Sequence, residues 1–513
     1  MTQPQGAPSG VNGHDAQDLV ELRDAIHSRQ LSAEEAVKQS LALAEQVDGV
    51  LGTFIHRFDE QALEAAREAD RMIASGDTIA PLTGVPLGIK CNLATVEQVA
   101  TGQSLVHDPN WYAGRDADSV AALRAAGGVM LGHTTMVEHA MGRPDPSRPF
   151  PPPHNPWDPE RWPGGSSSGT GIGVASQMFT GGLGTDTAGS VRLPAALCGV
   201  TGLKTTFGLV STNGCMPAAP SLDIIGPIAR SARDCRVLMD AMLPGLSAKQ
   251  TQSTGRIAVP DDSVIGEARG VSAETRARLD ESLRVLADAG YELVEVAMPE
   301  FDEQIRLTLM IMVHEVFLTH RETLVRRWND YGRSFRRLAA LGALIQPQVY
   351  DTMRTRQAEL RRILTERFSS FDAVATPSWP TGALPYFANG GNVPNQTNYT
   401  AAWNAVGFPA ISLPMGFDEE RMPVGLQLAG VPGTDARLLT LGEQLQEATD
   451  WHRQAPDVGQ WQGQRPDIPD PDTGVEPLTE PSAGVDALRQ QGVPLDEIDA
   501  AVIQSSLKML GME

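Results

Sequence analysis

The stretch from Trp162 to Arg192 limits what this chain can become more than any other. It reads W-P-G-G-S-S-S-G-T-G, then a short apolar run, then G-L-G-T-D-T-A-G-S-V-R. Ser166 opens the first glycine-rich turn and Ser190 closes the second, 24 positions later. Glycine is favoured where the backbone must take positive φ or come close to a ligand. A serine set in such a turn can be presented rigidly, with backbone N–H groups free to face a developing negative charge. A flexible Gly/Ser linker has the same local composition. Linkers, however, do not enclose an apolar segment such as Ile172 to Phe179, so the stretch reads as the centre of a fold.

The flanking chain supplies alternating helices and strands. Leu19, Leu22 and Ile26 repeat at helical spacing after Asp18, and Ser32 with Glu35 forms a capping box that opens a second helix. An alanine-rich helix follows near Glu60 to Ala74, with Gly76 at its end. Val85, Leu87 and Ile89 then alternate as a strand that delivers Lys90 at its end. From spacing alone, a lysine there reads more readily as a strand terminus reaching for water. Asp118–Ala126 predicts a helix and Val129–Leu131 a strand, the alternation of an α/β architecture. Proline crowds residues 143–163, which predicts an irregular loop leading into Gly164. Further strands are expected at 256–259, 291–296, 371–375, 410–413 and 424–428, and helices through Leu279–Leu286 and Leu438–Leu445. Residues 303–368 predict a long helical stretch, a candidate substrate lid or partner surface. The segment 390–392 reads as a loop, residues 1–14 as a disordered N-terminus, and 15–453 as one large domain. Residues 454–513, rich in Pro, Asp, Gln and Gly, read as a tail whose Leu495–Leu510 helix could dock on a neighbouring subunit.

Composition narrows the partners. The 513 residues are 41% hydrophobic and 20% charged, enough for a sizeable core. A net charge of −22 argues against nucleic acid and anionic membrane surfaces as partners. Four cysteines without C-x-x-C spacing suggest neither a zinc site nor a disulfide framework. The polar start lacks the pattern of a signal peptide, and no run approaches a membrane span, so a cytoplasmic enzyme is the expectation.

Several chemistries compete for the glycine-rich serines. A P-loop needs G-K-[ST], and Gly169-Thr170 lacks the lysine. A dinucleotide fingerprint needs a strand before Gly169-Thr-Gly171, where a proline-laden loop stands instead. The nucleophile elbow G-x-S-x-G is matched formally by Gly165 to Gly169 but lacks that same strand. A fourth reading joins both serines to Lys90. Serine needs a base to take its proton, and a lysine neutralised by burial can serve, relayed through a second serine. No metal or cofactor is required, and none is expected.

With G-G-S-S-S-G (164–169), G-T-D-T-A-G-S-V-R-L-P-A-A-L-C-G-V-T-G-L-K (184–204), Asp223-x-x-Gly-Pro227 and Gly84-V-P-L-G-I-Lys90, the chain resembles the amidase signature hydrolases over residues 15–453. The resemblance implies a large mixed β-sheet flanked on both faces by helices, and a Ser–cis-Ser–Lys triad. In it Ser190 is the nucleophile, Ser166 the bridging serine on a cis Gly165–Ser166 peptide, and Lys90 the general base and later acid. Backbone N–H groups of Thr187, Ala188, Gly189 and Ser190 are implied as the oxyanion hole. Met141, Gly142, Trp379 and Trp403 are implied pocket residues, although a tryptophan serves a core equally well. Two positions depart from the pattern: Cys91 replaces the acidic residue usual after the lysine, and Ala188-Gly189 replaces Gly-Gly before the nucleophile.

The expected activity is hydrolysis of C–N bonds in small carboxamides, including aryl amides and carbamates, through an acyl-enzyme. A standalone enzyme, as monomer or homodimer, is weighed against the A subunit of a glutamine-dependent tRNA amidotransferase, which T-T-M-V-E-H-A-M-G (134–142) also resembles. A non-catalytic scaffold would have lost one of Lys90, Ser166 and Ser190, and all three are present. Asp186 with Arg192 and Lys204 are expected to hold turns. His133, His139, Cys198 and Cys215 are expected as satisfied or core residues.

Overall fold

The computed structural model describes residues 17–248, 253–386 and 397–510, together with Met512. The disorder expected for 1–14 and the loop expected at 390–392 lie outside the described residues. Strands β1 (Phe54–Arg57), β2 (Pro86–Lys90), β3 (Val129–Thr134), β4 (Gly181–Asp186), β5 (Thr201–Lys204) and β6 (Ile224–Ala229) come from the first half of the chain. Strands β7 (Arg256–Pro260), β8 (Glu292–Val296), β9 (Ala373–Pro377), β10 (Ala410–Phe417) and β11 (Pro423–Ala429) come from the second. They form one 11-stranded sheet in the order β1-β3-β2-β4-β6-β5-β10-β11-β9-β7-β8. The sheet is mixed: β3, β2 and β4 run parallel, β6 opposes β4, and β7 lies parallel to both β8 and β9. Most central strands are buried along their whole length, as a sheet covered by helices on both faces requires.

The helix starts read from the sequence are present. Asp18 and Ser32 both close capping boxes, and Gly76 ends its helix at φ +77°. The glycines of the central stretch are used for close packing rather than flexibility. Helix Ser168–Ala175 is buried along its whole length. A Cβ on Gly169 would stand 2.5 Å from the Thr135 amide nitrogen, and one on Gly184 of β4 would stand 2.6 Å from Ser167 Oγ. Small residues thus let this helix lie directly on β3 and β4.

Two regions differ from the expectation. The long helical stretch is three helices, Phe301–Arg326, Arg333–Leu341 and Pro347–Phe368. Extended backbone at Gly332 and a proline at the start of the third helix break it. The carboxy-terminal segment is a folded part of the molecule. Helices Ala483–Gln490 and Glu497–Leu510 bury Val485, Leu488, Ala500, Ile503 and Leu507 against Val316, Trp328 and Phe335. Asp499 accepts a hydrogen bond from Trp328 Nε1 at 2.8 Å and pairs with Arg336 and Arg337 at 3.0 and 2.7 Å. In this structure the terminal helix docks on its own chain. Polar composition hid this because a few apolar positions on two short helices suffice to bury them. Among the described residues no helix is long and apolar enough to cross a membrane.

Candidate active site

The carboxyl ends of β2 and β4 meet the two serine turns. Ile89 pairs with Leu183 across the parallel strands, so Lys90 lies beside the end of β4. Its amine is fully buried and donates to Ser166 Oγ at 2.7 Å, to Thr185 Oγ1 at 2.7 Å and to the Thr185 carbonyl at 3.3 Å. The solvent-facing alternative for this lysine is thereby excluded. Burial draws its pKa down to about 7, against weaker opposing pulls from Cys215, Asp186 and Asp223. Cys91, where a carboxylate is usual, is a buried thiol 3.2 Å from Thr101 Oγ1.

The Gly165–Ser166 peptide is cis. Gly164 precedes it at φ +83°, where a Cβ would press on the backbone of Pro194. The two turns are tied together, because the Ser167 N–H donates to the Ser190 carbonyl at 3.1 Å. Ser166 and Ser190 remain almost wholly enclosed. Helix Arg192–Cys198 starts directly after Ser190.

A buried ion pair holds the Ser190 turn. Asp186 meets Arg192 in a two-pronged contact, 2.9 Å at each oxygen, with no exposure of either side chain. Burial alone would raise the Asp186 pKa, but Arg192, then Lys204 and Asn404, hold it well below the usual carboxylate range. Arg192 also donates to the Thr400 carbonyl, Gln427 Oε1 and Asn404 Oδ1 at 2.7 to 2.8 Å. All its hydrogen-bonding capacity is used within the fold. Asp223 anchors the same turn from the other side. It accepts from Thr187 Oγ1 at 2.6 Å and from the Ala218 and Ala219 amides at 2.9 and 3.0 Å. Lys204 pins its turn through the Phe408 carbonyl at 2.6 Å.

Not every residue expected at the site has the expected environment. The Gly189 N–H donates to Asp186 Oδ1 at 2.8 Å, so it is engaged in holding the turn and is removed from the set of oxyanion donors. Trp403 is fully buried, stacked on Phe408 with ring centres 6.1 Å apart, and is a core residue. Trp379 packs with Trp162, Leu193 and Leu197 beside the two serine turns. Met141 is buried in the cluster that includes the helices of the 301–341 region, and a Cβ on Gly142, at φ +97°, would stand 2.6 Å from Ser334 Oγ there. His133 is buried, hydrogen-bonded at Nε2 to the Leu93 carbonyl at 3.1 Å, and pulled by burial to a pKa of about 4. His139 bonds the Val106 carbonyl at 3.1 Å.

Two contributors escaped the sequence reading. Thr185 accepts from the lysine amine, and Asn92 donates to the same Thr185 Oγ1 at 3.1 Å. Asn92 stands in the turn just after β2, and only its place two positions beyond Lys90 could have pointed to it. Thr185 carried no signal beyond its nearness to Ser190.

A buried, near-neutral lysine on a serine that is tied to a second serine, at one end of a mixed α/β sheet, defines a hydrolase site. The family is then plain: residues 35–439 match the Amidase family, and the chain belongs to it, the amidase signature hydrolases that cleave amide C–N bonds. A relative from Halorhodospira halophila, described as the A subunit of glutamyl-tRNA(Gln) amidotransferase, is 35% identical over 481 residues, covering 86% of this chain and 98% of that protein. A putative amidase, AmiD, of Mycobacterium tuberculosis is 33% identical over 459 residues, covering 86% and 96%. A solved structure described as an amidase matches with a TM-score of 0.76 at 26% identity, over 84% of this chain and all of that one.

Proposed function

We propose that Ser190 is the nucleophile of an amide hydrolase whose base is neutral Lys90, acting through Ser166. The observation that carries this is the buried Lys90 amine, 2.7 Å from Ser166 Oγ with a pKa near 7. A base poised near neutral pH can both take and return a proton. Ser166 passes a proton from Ser190 Oγ to Lys90 as Ser190 attacks the amide carbonyl. The tetrahedral oxyanion is met by backbone N–H groups of Thr187, Ala188 and Ser190. Collapse expels the amine or ammonia, protonated from Lys90 through Ser166. Water then attacks the acyl-Ser190 ester by the same relay and frees the acid.

The substrate is a small carboxamide: a primary amide, an aryl amide or a carbamate. A second reading has a specific finding in its favour. The amidotransferase relatives match along nearly their whole length, which supports glutamine as the amide and partner chains as the setting more directly than it supports a standalone enzyme. Product release from the purified chain distinguishes the two. Glutamine, aliphatic amides, anilides and aryl carbamates are compared, with Ser190→Ala alongside. Turnover of anilides or carbamates that vanishes in Ser190→Ala supports the standalone enzyme. Activity confined to glutamine, or appearing only with partner chains, supports the amidotransferase component. Full turnover in Ser190→Ala refutes the nucleophile assignment.

A further inference from the structure

Beside the serine turns stand two donors that the proposed reaction does not use. Arg143 follows Gly142, is half-buried, and places its guanidinium carbon 4.0 Å from the centre of the Trp162 ring. No carboxylate among the described residues pairs with it. Asp145 is taken by Arg333 at 2.8 Å, Asp158 by Arg161 at 2.9 Å, and Glu138 by Ser104 and the Gly332 amide. Residues 387–396 contain no Asp or Glu. Burial without a counter-charge draws the Arg143 pKa down to about 10, with Tyr386 acting weakly in the other direction.

The second donor is Trp162 itself. Its indole Nε1 is buried and has no acceptor among the described residues. A buried indole N–H ordinarily finds one. The same ring borders the reaction centre, because a Cβ on Gly165, the residue bonded to Ser166, would lie 3.4 Å from Trp162 Cζ2. Trp162 also shares its cluster with Trp379 and with Leu193, three residues beyond Ser190. A cation and an N–H donor, both lacking an acceptor, therefore meet on one indole next to both serine turns.

We propose that Arg143 and Trp162 form a carboxylate-binding subsite. The amide that is hydrolysed then carries a carboxylate set back from the scissile bond, as in a monoamide of a dicarboxylic acid or a side-chain amide of an amino acid. A guanidinium matches a carboxylate with two parallel N–H bonds, and stacking on an aromatic face holds its plane in place beforehand. This inference rests on the reading of Ser190 as the centre of amide hydrolysis.

The test compares succinamate with butanamide, which replaces the carboxylate by a methyl group. Both kcat/KM and calorimetric binding are measured for the wild type, Arg143→Gln, Arg143→Lys and Trp162→Phe, each checked for an unchanged melting profile. The wild type is expected to prefer succinamate at least tenfold. Arg143→Gln lowers that preference about tenfold or more, the scale of a lost charged hydrogen bond. Arg143→Lys recovers only part of it, and Trp162→Phe, which keeps a ring but removes the N–H, lowers it severalfold. A wild type without the preference, or a preference equal in wild type and Arg143→Gln, overturns the subsite. Where Arg143→Gln fails to fold, Trp162→Phe decides alone. Ser190→Ala keeps the two readings apart: retained turnover there sinks the nucleophile assignment, while a calorimetric preference for succinamate still supports the subsite.

Discussion

Replacing Lys90 by methionine separates what the buried amine does for chemistry from what it costs the fold. Burial moves its pKa from 10.5 to about 7. At about 1.36 kcal/mol per pKa unit, keeping the amine buried at pH 7 costs about 4 kcal/mol relative to the unfolded chain. Its hydrogen bonds to Ser166 and Thr185 return about 1 kcal/mol each. Methionine has similar length and no charge, so Lys90→Met is expected to be about 1–2 kcal/mol more stable at pH 7. The pH dependence fixes the cause. Between pH 7 and 10.5 the unfolded lysine holds a proton that the folded one has released, so wild-type stability rises by about 1.4 kcal/mol per pH unit relative to the variant. The advantage of Lys90→Met is thus largest below pH 7, is gone at about pH 8, and turns into a deficit above that. Urea denaturation of both proteins from pH 6 to 9 measures this difference, and groups common to both cancel. Activity moves the other way. Wild-type kcat/KM rises with pH through about 7, while Lys90→Met loses about 10²–10⁴-fold. A stability difference that is flat with pH, or a variant that keeps its activity, refutes the reasoning.

Three further outcomes are expected. Asp186→Asn keeps the shape but leaves Arg192 buried without its counter-charge, so urea unfolding should show a loss of about 3–5 kcal/mol; a loss below about 1 kcal/mol contradicts the anchoring role. Gly189→Ala forces a side chain onto φ +119° and into Thr400, and should abolish hydrolysis and lower the melting temperature. A second change, Thr400→Ala, relieves the overlap but not the φ, so recovery should stay incomplete; full recovery would refute the backbone argument. Asp499→Ala leaves Arg336 without a carboxylate and Arg337 with Asp472 alone, so limited proteolysis should cut the terminal helix faster than in wild type. Equal cleavage rates would show that the apolar face alone holds the helix.

The reaction centre was unusually legible because its residues sit in ordered, glycine-marked motifs. Close packing on Gly169 and Gly184 leaves a trace in sequence, since no other residue fits. Strand ends were legible too, as alternation placed Lys90 at the edge of β2. What the sequence concealed depends on contacts between distant segments. Gly189 reads as a free donor until the fold brings Asp186 under it. Trp403 reads as a pocket wall until Phe408 is seen stacked on it. The terminal segment reads as a tail because Asp499 finds its arginines more than 160 positions away.

The contacts of Arg192 bear on how such a chain can change over time. Its donors reach Asp186, Thr400, Asn404 and Gln427, so the Ser190 turn takes its position from the sheet and its nearest loops. The helices between Phe301 and Phe368 contribute none of these acceptors. If that region is the substrate lid and Ser190 the nucleophile, as proposed, changes there leave the anchors of the Ser190 turn in place. On that reading a directed-evolution library for broader substrate choice belongs in that region, and one that touches residues 186–192 or 400–404 should yield mostly inactive clones.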